Sequence, residues 1–244
     1  MLGTTLSSGV FDAGPGFSVA NIRSSAMRAS AVMFDWDGVL IDSLGASFNV
    51  YNKIFARLGV RQLTNDEFLE YQSPNWYDFY QKVGLPERLW KEADDDWVKL
   101  YDEERPVLHP DALSCLTALK DQRFSLALVS NGSKDRISLE LKRFRVRSFF
   151  DSVEFGTTKE RLKPSPFMLE KTLVALGLKP EHAVYVGDSP ADIQAARNAG
   201  VVSIALARGP IQAARLRTEG PDHLFRGLEE MTAFLTNGPT SSSR

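Results

Sequence analysis

Four short apolar runs, none of them alternating, constrain this chain more than any other feature. They are Ala31-Val32-Met33-Phe34, closed by Asp35; Ser125-Leu126-Ala127-Leu128-Val129-Ser130; Ala183-Val184-Tyr185-Val186-Gly187; and Val201-Val202-Ser203-Ile204-Ala205. A strand with one wet face alternates apolar and polar residues. A continuous apolar strand is covered on both faces, as in a parallel sheet flanked by helices. Helical patterns separate the runs. Ile137, Leu141 and Phe144 recur at helical spacing after Ser133, Ser165-Pro166 opens a helix that Gly177 closes, and Ser189-Pro190 opens another that Gly200 closes. Asp222 to Phe225 reads as a short edge strand. The fold class is therefore α/β, a doubly wound, Rossmann-like parallel sheet, whose ligands bind outside the carboxyl ends of the strands.

Between Asp42 and His109 the strand pattern disappears. Phe48, Tyr51, Phe55 and Leu58 form one helical stripe, and Trp90, Ala93, Trp97 and Tyr101 another. We read an all-helical cap domain over residues 43–109, inserted into a core made of residues 31–42 and 110–237. An insertion at the carboxyl end of a strand lies over the ligand site and can act as a lid. Residues 1–30 are rich in Gly and Ser and fit a disordered tail, a start placed upstream of Met27, or an organellar transit segment; the first two fit best.

Charge narrows the partners. With 29 basic and 31 acidic residues the formal charge is −2, so no excess of cations points to nucleic acid or to an anionic membrane. One cysteine, Cys115, excludes an internal disulfide framework, and no apolar run reaches the roughly 18 residues of a membrane span. With no export signal evident, a cytoplasmic location is expected, or an organelle if the first thirty residues are a transit segment.

The polar residues that follow the runs carry the chemistry. Asp35-Trp36-Asp37-Gly38 follows the first run, Ser130-Asn131-Gly132 the second and Gly187-Asp188-Ser189-Pro190-Ala191-Asp192 the third; Lys163-Pro164-Ser165-Pro166 precedes a helix. Several carboxylates in one small site raise each other's pKa unless a cation sits among them. A hard divalent ion with oxygen ligands, best matched by Mg²⁺, resolves this. Lys163 and the amides from Ser130 to Gly132 then supply positive potential, and the anion that suits such a set is a phosphoryl group.

Four such motifs in this order, over roughly residues 31–236, resemble the haloacid dehalogenase superfamily, in its branch of phosphoglycolate phosphatases and β-phosphoglucomutases with a helical cap. The resemblance implies that Asp35 is a nucleophile forming an aspartyl-phosphate, and that Asp37 is acid and then base, with its backbone carbonyl on Mg²⁺. It also implies that Ser130, Asn131 and Gly132 bind the phosphoryl oxygens and that Lys163 offsets charge. Asp188 would ligate the metal, and Asp192 would bind or orient it. By the same analogy Trp76, in a loop with Gln72, Ser73 and Asn75, lies over the substrate. Dehalogenases carry an aromatic where this chain has Asp37, which disfavours dehalogenation. β-Phosphoglucomutase-like members usually carry His near position 47, here Ser47. The expected activity is therefore a Mg²⁺-dependent phosphatase of a small phosphorylated metabolite, of the phosphoglycolate or sugar phosphate type. A phosphomutase is the first alternative and a catalytically silent binding module the second.

Overall fold

The structure, a computed structural model, describes residues 29–71, 73, 76–156 and 158–237. Most of the N-terminal segment singled out above, and Gln72 and Asn75 of the cap loop, therefore lie outside the described residues. Among those described, no helix is long and apolar enough to cross a membrane.

Six parallel strands form one sheet in the order β3-β2-β1-β4-β5-β6: β1 (Ala31–Phe34), β2 (Ser125–Ser130), β3 (Ser152–Phe155), β4 (Ala183–Gly187), β5 (Val202–Leu206) and β6 (His223–Phe225). The apolar runs supply β1, β2, β4 and β5, and the expected edge strand is β6. Strand β3 is the one the sequence reading lacks. Its residues, Ser-Val-Glu-Phe, are only half buried because it is an edge, so the continuous apolar signature is missing.

Among the described residues ten α-helices accompany the sheet: α1 (Ser43–Arg57), α2 (Asn65–Tyr71), α3 (Trp76–Val83), α4 (Trp90–Glu104), α5 (Ala112–Asp121), α6 (Lys134–Phe144), α7 (Phe167–Leu176), α8 (Pro190–Asn198), α9 (Pro210–Thr218) and α10 (Leu228–Thr236). Side chains of β1 divide between two cores. Val32 and Phe34 pack on one face with Leu116, Leu119, Ile137 and Leu141, while Ala31 and Met33 pack on the other with Leu169, Leu173 and Ala196. Burial on both faces is the physical reason that β1 is apolar at every position.

Helices α1 to α4 form a third core of their own, in which Val50, Ile54, Phe55, Phe68, Phe79 and Tyr80 are buried and Tyr51 stacks among the aromatic rings. Both stripes read from the sequence face into it, and Gly59 (φ +69°) follows the first helix where the stripe ends. Helix α7 starts at Phe167, one residue later than expected, because Ser165 N–H is held by Leu162 O in a turn and Pro166 becomes the N-cap.

Strand order reverses between β1 and β4. The chain leaves β1 for β2 and β3 on one side, then returns to β4 on the other, which opens a crevice at their carboxyl ends.

Candidate active site

Pairing register delivers the carboxylates to that crevice. Phe34 pairs with Val186, and the next N–H, that of Asp35, donates to Val186 O at 2.9 Å, so Asp35 emerges level with the end of β4 where Asp188 begins. The loop after β1 presses so closely on Asp188 that a Cβ on Gly38 would overlap its Oδ2. Gly38 also has φ +74°, so both space and backbone require glycine. Carboxylate oxygens of Asp35, Asp188 and Asp192 lie within 4.8 Å of one another.

Lys163 enters from the loop ahead of α7 and is 4% exposed. Its Nζ lies 2.7 Å from Asp192 Oδ1 and 2.9 Å from Asp35 Oδ1. The second contact has the distance of an ion pair without the direction of a hydrogen bond, so Asp35 Oδ1 is buried with no hydrogen-bond donor. Asp192 is saturated. Its Oδ1 takes Lys163 and the Tyr185 hydroxyl (3.0 Å), and its Oδ2 accepts from Ser189 Oγ (2.5 Å), Ser189 N (3.0 Å) and Asp188 N (3.2 Å). Those bonds include a capping box at the start of α8, so Asp192 fixes the loop that carries Asp188.

Ser130, at the end of β2, is buried, and its Oγ accepts from Gly132 N at 3.1 Å. The Asn131 side chain clamps the backbone of Lys163, with Oδ1 accepting from Lys163 N at 2.8 Å. Gly132 leaves room for Arg136, whose Nη2 a Cβ would overlap. Trp76 opens α3, and its side chain lies outside the described residues. The Asp37 carboxylate is gripped from α6, where Arg136 donates to its Oδ1 at 3.0 Å and its Oδ2 at 2.5 Å.

Three further residues belong to the site and escaped the sequence reading. Tyr185 in β4 accepts from Lys163 Nζ (2.9 Å) and lies 3.1 Å from Val129 O. A tyrosine in an otherwise aliphatic buried strand was the available signal, since its hydroxyl must find partners. Gln212 on α9 donates to both Asp188 O and Oδ2 at 3.1 Å. Arg136 is the third. From α9, Arg215 also donates to Leu69 O of α2 (2.9 Å), tying the inserted helices to the rim of the site. A wider groove of about 660 Å³, lined by Lys134, Lys142, Arg145 and Arg147, lies along the outer side of α6. None of the clustered carboxylates lines it, so the chemistry does not follow the volume.

Burial pushes the Asp35 carboxyl up to about 7, with Lys163 opposing and Asp192 and Asp37 adding to the rise. Asp188 is pushed well above the carboxylate range by burial and then by Asp192 and Asp35. On Asp192 burial is the strongest single effect and works upward, but Lys163 and the hydroxyls of Ser189 and Tyr185 together hold that group below its ordinary value. Three acids against one ammonium make a charge imbalance that a divalent cation relieves. The donor set fits such an ion: hard carboxylate oxygens close together, among them those of the buried Asp35 and the half-buried Asp188.

The chain matches known proteins in sequence and in fold. A family model described as haloacid dehalogenase-like hydrolase matches residues 32–206. A phosphoglycolate phosphatase of Aquifex aeolicus is 30% identical over 210 residues, 84% of this chain and 96% of the relative. Pyrophosphatase PpaX of Bacillus cereus is 25% identical over 214 residues, 86% of this chain and 98% of the relative. A haloacid dehalogenase-like hydrolase family protein from Streptococcus pneumoniae has the same fold, with a TM-score of 0.74, 23% identity, and coverage of 85% of this chain and 98% of that one.

Proposed function

We propose, for a chain that belongs to the haloacid dehalogenase-like hydrolases and is a phosphatase of that family, that it is Mg²⁺-dependent and cleaves a small phosphorylated metabolite through a covalent intermediate on Asp35. The observation that carries this reading is the buried Asp35 carboxylate beside Lys163 at the end of β1, with Asp188 across the crevice. The names of the relatives, a phosphoglycolate phosphatase and a pyrophosphatase, favour a small substrate with a phosphoryl ester or anhydride.

In the first step an Asp35 oxygen attacks phosphorus, the bond from phosphorus to the bridging oxygen breaks, and Asp37 gives that oxygen its proton. In the second, Asp37 takes a proton from a water that attacks the same phosphorus, and phosphate leaves with Asp35 restored. Lys163 holds its ammonium against Asp35 and the phosphoryl oxygens, while Ser130 and the backbone of Asn131 and Gly132 face the equatorial oxygens. Asp192 and Tyr185 keep Lys163 in place. A Mg²⁺ ion held by Asp35, Asp188 and the Asp37 carbonyl would neutralise phosphoryl charge; Asp192 would orient those ligands rather than join them. Helices α1 to α4, as a cap over residues 43–109, would exclude bulk water and read the leaving group, with Trp76 a candidate contact.

A panel of phosphorylated metabolites, assayed for inorganic phosphate with and without Mg²⁺, tests this. Metal-dependent release that Asp35→Asn abolishes supports the reading. Release that survives Asp35→Asn refutes the nucleophile. Interconversion of sugar phosphates without release would make the chain a mutase.

A further inference from the structure

The guanidinium of Arg136 is engaged on three sides, and each side belongs to a different part of the molecule. On the loop after β1 it grips both oxygens of Asp37, one nitrogen to each, in the parallel fork that arginine forms and lysine cannot. On its own helix, one turn on, it meets Glu140 at 3.2 Å. From the inserted helices, the Tyr101 hydroxyl of α4 lies 3.3 Å from Nη1, with the ring centroid 5.1 Å from the guanidinium carbon. Glu140 is fixed in turn by the Trp36 indole N–H, which donates to its Oε2 at 2.7 Å.

This cluster is costly. Glu140 is 7% exposed and the Arg136 side chain 18%, so a carboxylate and most of a guanidinium are drawn away from water. The phosphoryl-binding loop also carries glycine at position 132, where any Cβ would overlap Arg136 Nη2. Both features serve one outcome, a guanidinium held at a fixed point over Ser130–Gly132 with Asp37 in its fork.

We propose that Arg136 is a positioning residue for Asp37, braced by Glu140 and Trp36 on the core and linked by Tyr101 to the inserted helices. It sets where the Asp37 carboxyl group stands relative to the leaving oxygen and makes that placement depend on how α4 rests on the core. The inference rests on the reading of Asp37 as the group that protonates the leaving alcohol. Tyr101 contacts Arg136 and not the reacting atoms, so it acts one step further out.

The test uses leaving groups. A nitrophenyl phosphate departs without protonation, whereas an alkyl phosphate needs the proton from Asp37. Single-turnover release of the phenol or alcohol reads the first step alone. Arg136→Lys keeps the charge and loses the fork. It is expected to slow alkyl-ester cleavage on the order of 10- to 100-fold, within the range that general acid catalysis supplies, and to change aryl-ester cleavage less than about threefold. An equal loss on both esters means that Arg136 only supports the fold, and overturns the inference; so does no loss on either. Tyr101→Phe keeps the ring over the guanidinium and removes only the hydroxyl. The same selective loss, smaller in size, supports the link to α4, and unchanged cleavage of both esters overturns that link. Should Arg136→Lys fold poorly, Arg136→Ala with added guanidinium ion asks the same question: rescue confined to the alkyl ester supports the role, and no rescue overturns it. Asp37→Asn separates the two levels of the claim. Undiminished alkyl-ester cleavage in that variant refutes the underlying acid assignment and the inference with it. Selective loss in Asp37→Asn without selective loss in Arg136→Lys refutes the inference alone.

Discussion

Asp35→Asn should abolish turnover and yet stabilise the metal-free protein at neutral and higher pH. Asp35 is 7% exposed, and its carboxyl group stands at about 7 instead of 3.8. At about 1.4 kcal/mol per pH unit, ionising it in the folded protein costs about 4 kcal/mol more than ionising it in the unfolded chain. The sign follows from proton counting. Between about pH 4 and pH 7 the native state keeps a proton that the unfolded chain has lost, so stability falls as pH rises through that window. Above it the whole cost is present. Asparagine has the same shape and no charge, and Lys163 keeps Asp192 at 2.7 Å as its counter-ion. Urea denaturation in EDTA should therefore show the variant more stable than the parent by about 2–4 kcal/mol at pH 8, a gap that shrinks by more than half at pH 5. Millimolar Mg²⁺ should raise the parent more than the variant. If the two proteins show the same pH dependence without metal, Asp35 carries no buried-charge cost and the electrostatic account of the site fails.

Three other perturbations address the parts around it. Asp188→Ala should raise the Mg²⁺ concentration for half-maximal activity roughly 10- to 100-fold; a metal titration that overlays the parent would remove Asp188 from the ligand set. Gly38→Ala combines φ +74° with a side chain forced into Asp188 Oδ2, so it should cost about 1–3 kcal/mol in denaturant and weaken metal dependence as well. Tyr185→Phe removes the hydroxyl that accepts from Lys163, and should cost about 1–3 kcal/mol in thermal or urea unfolding while lowering kcat more than KM.

How much of this was legible in the sequence depends on how local each feature is. Asp35, Asp188 and the Ser130 loop announce themselves because a polar residue ending an unalternating apolar run has few structural reasons to be there. Strand β3 gave no such signal, since Ser152 to Phe155 is short, half exposed and at the sheet edge. Arg136 and Glu140 were hidden for the opposite reason. An arginine and a glutamate four residues apart on a helix form one of the commonest solvent-exposed pairs, and nothing in their spacing says that Glu140 is buried or that a second carboxylate, that of Asp37, 99 residues away in sequence, completes the cluster. Gln212 was invisible for a similar reason, because its partner Asp188 lies 24 residues back. Sequence reading finds groups that break a local pattern and misses those that satisfy one while serving another purpose.

The two clusters at the mouth of the site also differ in what they leave unbalanced. Around Lys163, the three carboxylates of Asp35, Asp188 and Asp192 face one ammonium, and burial pushes Asp35 and Asp188 above their ordinary values. Around Arg136, Asp37 is held below its ordinary value by the guanidinium despite burial, which acts in the opposite direction. In the proposed mechanism a phosphoryl dianion arriving at the first cluster would meet like charge, which a divalent ion would offset. To act as the proposed acid, Asp37 would have to be protonated against its resting preference. In the proposed mechanism, metal binding and proton supply would therefore fall to different groups, the carboxylates at the ends of β1 and β4 for the first and Asp37 with its partner on α6 for the second. Such a division would let the inserted helices tune the reaction through the polar contacts that run from Tyr101 through Arg136 to Asp37.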